Sequence, residues 1–283
     1  MKLWAISDVH IGYEKNKQAL YEILPRPGDW CAVVGDVGET PEQLEFVLDV
    51  LGQRFAKLIW VPGNHELWTH PKDVCRLKGR ARYTRLVQIC RERGVLTPED
   101  DYVAWPEDPS LRICPLFVGF DYSMAPEGMD ITQAKAWALE EGILSTDERL
   151  LLPDPYDSIQ GWCAVRVEHT EQRLAALPED HRTVLIAHWP LRMDLVRLPQ
   201  RVARFIPWCG TRRTEDWHLR FNAALGIYGH LHMRATDWRD GVRFEEVALG
   251  YPRHWSATKG IDAYVRQVWP PTSTPSPETV WHR

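Results

Sequence analysis

One stretch of the chain, KLIWVPGNHE at residues 57–66, restricts the possible folds more than any other. Its first five residues are apolar or favour β-structure, apart from the lysine, and they predict a short buried strand. Pro62 cannot donate a hydrogen bond to a sheet and ends the strand, and Gly63 allows the chain to turn tightly. We therefore expect Asn64 and His65 on a loop at the carboxyl end of a strand, where open α/β sheets bind ligands.

Two earlier segments show the same order, a strand followed by residues of metal-ligand type. A predicted strand at 2–7 leads into Asp8 and His10, and another at 30–34 leads into Asp36. Side chains two residues apart point the same way in extended chain, so Asp8 and His10 can converge on one point. The three strands form successive β-α-β steps, and we expect their polar residues at equivalent strand ends.

The second half of the chain shows the pattern twice more. A predicted strand at 183–187 ends at His188, and one at 225–228 leads into His230 and His232. A single histidine near a strand is usually an ordinary polar residue, but five of the eleven histidines follow predicted strands in this way. The combination predicts one site in which these side chains meet at the edge of a sheet.

The composition narrows the possible functions. The 283 residues are 44% hydrophobic and 26% charged, which is typical of a soluble globular protein, and an α/β fold of this length is often a single domain. The net charge of −5 argues against a nucleic-acid-binding protein. No apolar run reaches the roughly 18 residues of a membrane span. The six cysteines form no C-x-x-C pair, and no more than two residues precede the first predicted strand, so we expect reduced thiols in a cytoplasmic protein without a signal peptide.

Other segments have less regular patterns. The acidic, proline-containing segment 98–109 predicts a loop, and residues 121–160 predict an irregular insertion that serves as a lid or substrate wall. We expect residues 1–269 to form one domain and the tail at 270–283, with its four prolines, to be disordered. Helices are further predicted at 41–54, 80–93 and 165–177, and strands at 111–120 and 242–249.

In order along the chain, D-x-H, GD, GNH-E, H and GHLH form a motif series that resembles the calcineurin-like metallophosphoesterase superfamily. The resemblance implies an α/β fold, a four-layer αββα sandwich with a dinuclear metal site at the sheet edge. Two metals about 4 Å apart can each bind a phosphoryl oxygen. Oxygen and imidazole ligands suit Mn²⁺, Fe or Zn better than Ca²⁺, and we expect two divalent ions, with Mn²⁺ preferred. The resemblance implies one metal on Asp8, His10, Asp36 and His232, and a second on Asp36, Asn64, His188 and His230.

The same resemblance implies two catalytic residues. His65 resembles the acid of the family that protonates the leaving oxygen. Glu39, three residues after Asp36, resembles the carboxylate that orients this histidine. An exposed acid at the start of a helix is the alternative interpretation of Glu39.

Segments outside these motifs are similar to the actinobacterial 4′-phosphopantetheinyl hydrolases over most of residues 3–255: LWAISDVHIGYEKNK, RFAKLIWVPGNHELW, WCGTRRTEDWHLRFN, and YGHLH followed by DGVRFEEVALGYPRHW. The similarity implies removal of 4′-phosphopantetheine from a holo acyl or peptidyl carrier protein, by cleavage of the phosphodiester to a carrier serine. The alternatives are a small-molecule or nucleotide phosphodiesterase or phosphatase of the same superfamily, a nuclease, and a binding module on an inactive scaffold. The acidic net charge argues against the nuclease, and the complete ligand set argues against the inactive scaffold.

A charged segment lies between His188 and His230. It carries seven arginines, no lysine and three acids, so its net charge is +4 within a chain of −5. The planar arginine fork pairs with carboxylates and phosphates. We therefore expect a docking surface for an acidic carrier protein, with Arg192, Arg212 and Arg213 as substrate-binding residues. A solvated helical face with its own internal ion pairs is the alternative.

Overall fold

Two β-sheets organise the computed structural model of the protein, which describes residues 1–71, 73, 76–272 and 275–282. In chain order, the strands are β1 (Leu3–Ile6), β2 (Arg26–Val33), β3 (Phe55–Trp60), β4 (Val103–Trp105), β5 (Asp108–Pro115), β6 (Arg182–Ile186), β7 (Ala223–Tyr228), β8 (Ala235–Arg239), β9 (Val242–Glu246), β10 (Arg266–Trp269) and β11 (Val280–Trp281). The helices are α1 (Glu14–Ala19), α2 (Pro41–Gly52), α3 (Asn64–Leu67), α4 (Gly79–Glu92), α5 (Ile131–Leu139), α6 (Asp147–Leu150), α7 (Ile159–Ala175) and α8 (Trp217–Arg220). One sheet has the order β10-β1-β2-β3, and the other has the order β11-β8-β9-β7-β6-β5-β4.

The first sheet is built on three parallel strands. β1, β2 and β3 pair in register, with Ala5 opposite Ala32 and Ala32 opposite Ile59. Between β2 and β3, the Thr40 side chain caps α2 by accepting a hydrogen bond from Gln43 N at 3.3 Å. The carboxyl ends of the three strands therefore meet at one edge of the sheet, as the β-α-β pattern predicts.

Four layers stack around three apolar cores. Alternate side chains of a strand point to opposite faces. In β6, Val184 and Ile186 pack between the two sheets, while Leu185 packs on the face that carries α7. In β3, Ile59 packs between the sheets and Trp60 packs with α2 and α4. The order is helices, sheet, sheet, helices, which confirms the four-layer αββα sandwich.

Several strands differ from the sequence-based predictions, and β4 and β10 are two of them. β4 lies within 98–109, which was predicted to be a loop, and pairs antiparallel with β5. Trp105 is buried between the sheets and Val103 packs beside it, and this burial outweighs the neighbouring prolines. The sequence does not predict β10, because this strand pairs with β1, which lies at the other end of the chain. The predicted strand at 111–120 corresponds to the shorter β5.

The described end of the tail forms a strand, so the prediction of disorder over 270–283 is wrong there. β11 pairs antiparallel with β8, with Val280 opposite Thr236. His282 N donates to Arg234 O at 2.9 Å. An edge strand leaves backbone N–H and C=O groups unpaired, and the end of the tail satisfies some of those of β8.

The cysteines that the structure describes are free and buried, as expected of reduced thiols, and Cys75 lies outside the described residues. No helix in the described part of the chain combines the length and the apolar character needed to cross a bilayer. The segment 121–160 carries α5 and α6, and Asp147 is buried at the first position of α6.

Candidate metal centre

Ligand-type side chains from both sheets come together at the strand ends. Asp8 lies two residues after β1, Asp36 lies three residues after β2, and α3 begins at Asn64, just past β3. From the second sheet, His188 follows β6 and His230 follows β7. Each strand stops before these polar residues, which lie in the segments that follow it.

The candidate ligand atoms lie close to one another. Three groups are formed, and in each the ligand atoms lie within 4.8 Å of one another. Nε2 of His232 is 2.9 Å from Asp8 Oδ1, and Nε2 of His188 is 3.4 Å from Asp36 Oδ2. Asp36 belongs to two of the groups. The groups are Asp8, His10 and His232; His10, Asp36 and His65; and Asp36, His188 and His230.

Two buried polar atoms of the predicted metal ligands have no hydrogen-bond partner among the described residues, Oδ1 of Asn64 and Nε2 of His230. Asn64 donates from Nδ2 to Asp147 Oδ1 at 3.0 Å, which leaves its oxygen free for another partner. Buried polar atoms normally find a partner. A divalent cation would satisfy both atoms, and a donor set of carboxylates, an amide oxygen and imidazoles suits Mn²⁺, Fe or Zn. The residues present therefore fit a metal centre.

The backbone at the cluster adopts a conformation that is uncommon for residues other than glycine. Five of the predicted ligands have φ in the left-handed region, and such residues concentrate at functional sites. Hydrogen bonds hold the turns: Asp8 N donates to Gly35 O, and His230 N donates to Asp8 Oδ2, both at 3.0 Å. The five are Asp8 (54°), His10 (45°), Asp36 (52°), His230 (69°) and His232 (55°).

Electrostatic interactions favour an ionised carboxylate and two neutral imidazoles in the cluster, whereas His188 differs: burial lowers its pKa, but Asp36 more than offsets this and raises it to about 10. Burial raises the pKa of Asp8, but His232 more than offsets this and holds that pKa well below its usual range. Burial lowers the pKa of His10 well below its usual range. Burial and the neighbouring His188 lower the pKa of His230 to about 3. Ionised carboxylates and neutral imidazoles are the forms that bind divalent metals.

His65, the predicted general acid, belongs to one of the three groups together with His10 and Asp36. Its ring packs on Trp68 with centroids 3.7 Å apart and an interplanar angle of 33°. Nδ1 lies 3.4 Å from Glu39 Oε1, and Nε2 lies 3.8 Å from Asp36 Oδ2. Burial lowers the pKa of His65, but the carboxylates of Asp36 and Glu39 more than offset it, so the pKa is raised. The contact is an ion-pair approach and not a hydrogen bond, because Nδ1 of His65 has no hydrogen-bond partner among the described residues, so the orienting role of Glu39 stays a prediction.

Three side chains that lie near the cluster are not among the site residues predicted from the sequence. Tyr251 stacks on His10 with ring centroids 4.6 Å apart and an interplanar angle of 25°. His254 Nδ1 lies 3.1 Å from His232 Nδ1. Both come after β9, which ends at Glu246, but further from the strand end than the predicted ligands are from theirs, so only a wider search beyond the strand ends could have identified them. The third is Asp147, which no local pattern marks.

The three arginines predicted to bind substrate lie apart from this cluster, and within the described chain none has a hydrogen bond or ion pair to it. Arg192 Nε donates to Asp194 Oδ1 at 2.9 Å, and Arg212 lies 3.6 Å from Glu215. Arg213 is exposed and forms no ion pair with another described residue. Arg192 and Arg212 therefore match the alternative interpretation, in which the arginines form ion pairs within the protein. Arg213 forms no such pair among the described residues.

Comparisons with known proteins agree with this geometry. The profile of the calcineurin-like phosphoesterase family matches residues 1–234. The chain is 46% identical over 274 residues to the acyl-carrier-protein phosphodiesterase PptH of Mycobacterium tuberculosis, covering 95% of this chain and 83% of that protein. The fold is similar to the crystal structure of phosphopantetheinyl hydrolase (PptH) from M. tuberculosis, with a TM-score of 0.89, 45% identity, and coverage of 97% of this chain and 98% of that one. The chain therefore belongs to the calcineurin-like phosphoesterase family and is a metal-dependent hydrolase.

Proposed function

We propose that this protein is a phosphodiesterase that removes 4′-phosphopantetheine from a holo acyl or peptidyl carrier protein and leaves the apo form. The observation that carries the hydrolytic part is the cluster, in which Asn64 Oδ1 and His230 Nε2 are buried without a hydrogen-bond partner among the described residues. The substrate is inferred from the M. tuberculosis relative, whose name specifies an acyl-carrier-protein phosphodiesterase. Free, buried cysteines support a reducing, cytoplasmic location.

Two divalent ions, with Mn²⁺ preferred, would occupy the cluster. When bound, they supply positive charge to the phosphoryl oxygens and activate a water molecule for attack on phosphorus. Loading with Mn²⁺ followed by metal analysis should give two ions per chain, and one ion or none would contradict the dinuclear site. One ion would be held by Asp8, His10, Asp36 and His232, and the other by Asp36, Asn64, His188 and His230.

His65 is proposed to protonate the leaving group. Hydrolysis adds water to phosphorus and breaks the bond from phosphorus to the carrier serine oxygen, which needs a proton to leave as a hydroxyl. Glu39 lies near Nδ1 of His65, which leaves Nε2 to face the cluster on the side of Asp36. Trp68 packs against the ring and limits its rotation. These contacts support His65 as the donor of that proton and Glu39 as the residue that orients it.

Docking of an acidic carrier is proposed to involve the arginine-rich segment, with Arg213 as its available charge. Arg192 and Arg212 already have acidic neighbours within the protein, so they contribute less free charge. An exposed arginine without an internal partner can pair with a carboxylate of an approaching protein.

Mass spectrometry of the carrier tests the function directly. The purified protein would be incubated with Mn²⁺ and a holo carrier protein, and the carrier should lose the mass of its phosphopantetheine group. Asp36→Asn, treated in the same way, is the control and should leave the carrier intact. The wild-type protein could instead leave the carrier mass unchanged and hydrolyse a small or nucleotide phosphodiester. That result would contradict the proposal and favour the small-molecule alternative.

A further inference from the structure

Asp147 is a buried carboxylate that reaches the cluster from the segment 121–160. Its fractional exposure is 1%. Its Oδ1 accepts from Asn64 Nδ2 at 3.0 Å and from Trp68 Nε1 at 2.6 Å, and its Oδ2 accepts from Ser145 Oγ at 3.0 Å. Within the described chain, Asp147 has no ion pair with an arginine or lysine. A buried carboxylate without a cationic partner costs stability, so stability alone does not account for it.

The contact with Asn64 determines which atom of the amide faces the cluster. An asparagine amide can rotate so that either its oxygen or its NH₂ group points in a given direction. An ionised carboxylate can only accept hydrogen bonds, so the NH₂ group must face Asp147. The amide oxygen, which has no hydrogen-bond partner among the described residues, then faces away from Asp147. An amide oxygen is the atom that can bind a metal, whereas the NH₂ group cannot.

The same oxygen of Asp147 also holds the indole against which His65 packs. Trp68 can only donate from Nε1, and its bond to Oδ1 fixes the rotation of the indole. The His65 ring lies 3.7 Å from that indole, centroid to centroid. One carboxylate oxygen therefore orients a candidate metal ligand and supports the candidate general acid.

We propose that Asp147 is a positioning residue for the metal centre, which orients Asn64 toward the metal and steadies His65 through Trp68. The inference rests on the proposed function, because it takes Asn64 to be a metal ligand. It gives the segment 121–160 a role in assembling the site, in addition to its expected role as a lid or substrate wall. Partners outside the first ring of ligands typically change metal affinity by about 10–100-fold when they are lost.

Three variants and a matched control test the proposal. Asp147→Leu removes the acceptor, and the affinity of one of two Mn²⁺ sites, measured by titration calorimetry, should fall by about 10–100-fold. Asp147→Asn retains an acceptor oxygen and should restore most of the affinity. Asn64→Ala should weaken the same site, and combining it with Asp147→Leu should add little, because both act on one ligand.

The control is Glu148→Leu in the adjacent position of α6. Glu148 Oε1 also accepts from a tryptophan, Trp208 Nε1, at 2.7 Å, and from Tyr122 Oη at 2.7 Å, but it does not contact the cluster. The control should bind both ions with wild-type affinity.

Each result has a defined meaning. Wild-type affinity in Asp147→Leu, or equal losses in Asp147→Leu and Glu148→Leu, would overturn the positioning role. Absence of metal binding in the wild-type protein would instead overturn the proposed function. If Asp147→Leu does not fold, Ser145→Ala replaces it, since it loosens the carboxylate through Oδ2 without removing it. That variant should show a smaller loss at the same site, and unchanged binding would contradict the proposal.

Discussion

The carboxylate of Glu39 approaches His65 with Oε1 3.4 Å from Nδ1. Its second oxygen lies 2.9 Å from His70 Nε2, so the carboxylate lies between two imidazoles, although neither contact has the geometry of a hydrogen bond. A carboxylate on one nitrogen of an imidazole fixes the ring orientation and favours the protonated form. Burial opposes the proton, but Asp36 and Glu39 raise the pKa of His65 above its usual value.

We expect His65→Ala to bind metal normally and to lose about 10²–10⁴-fold in rate on a substrate with a poor leaving group. The aryl oxide of an aryl phosphodiester is a good leaving group that departs without a proton. The hydrolysis rate of such a substrate should therefore decline much less. Steady-state rates on both substrates check this, with metal content measured in parallel. Equal losses on the two substrates would contradict the role of His65 as a general acid.

Glu39→Gln should reduce the rate less than His65→Ala does, because the ring remains and only its orientation is loosened. In a His65→Ala background the Glu39 substitution should have almost no further effect, since coupled residues are not additive. The four rates of this double-mutant cycle provide the test. Additive losses would show that Glu39 acts independently of His65.

Gly63→Ala should weaken metal binding through crowding. A Cβ at Gly63 would lie 2.5 Å from Asp36 N and closer still to Asp36 Oδ1, so the aspartate must move. We expect a loss of metal affinity of about 10–100-fold. Gly52→Ala is the matched control, because a Cβ at that exposed helical position meets no atom within 4 Å. Calorimetric Mn²⁺ titration should separate the two, and similar affinities would contradict the crowding argument.

Arg213→Glu should raise KM for the carrier protein by about 3–10-fold at low salt, because it reverses an exposed charge that has no partner among the described residues. Added salt should raise the wild-type KM through screening and reduce the difference between the proteins. Arg80→Glu, an equal change of net charge on α4, serves as the control. A KM that responds to neither salt nor Arg213→Glu would exclude the docking role, and so would an equal response of Arg80→Glu.

Glu99→Gln should destabilise the protein at pH 7 by about 1–3 kcal/mol. The Glu99 carboxylate accepts from Arg166 Nη2 at 2.6 Å and from Tyr83 Oη at 2.8 Å, and it lies 3.6 Å from His169 Nε2. Burial raises the pKa of Glu99, but Arg166 more than offsets this, so the native pKa lies below its usual value.

The sign of the pH dependence follows from that lowered pKa. The unfolded carboxyl titrates near about 4.3. The stabilisation from Glu99 is therefore complete above that value and is lost as the pH falls through the lower native pKa. Urea unfolding at pH 7 and pH 3 should show a difference between wild type and Glu99→Gln that shrinks in acid. The exposed Glu92→Gln should change little at either pH.

Much of the metal centre could be predicted from local sequence because its ligands follow strands. The run at 57–66 predicts both a strand and its end, and the ligand must lie where the strand stops. The same reasoning applies at Asp8, Asp36 and His188. These predictions rest on hydrophobic alternation and on Pro and Gly, which act within a few residues of the chain.

Other features depend on contacts between distant segments, and local sequence carries no signal for them. Asp147 meets Asn64 across 83 positions of the chain. β10 acquires its register from β1, and the end of the tail forms a strand only because β8 offers an unpaired edge. From the sequence, Arg192 is predicted to be available to a substrate. In the structure, however, the carboxylate of Asp240, which is distant in the chain, lies 3.0 Å from its guanidinium group. Sequence alone therefore determined where the predicted metal ligands lie, at the ends of their strands. The tertiary structure decided which other side chains join them, which charges are neutralised and which carboxylate orients the ligand, because hydrogen bonds and ion pairs form only at distances that folding creates.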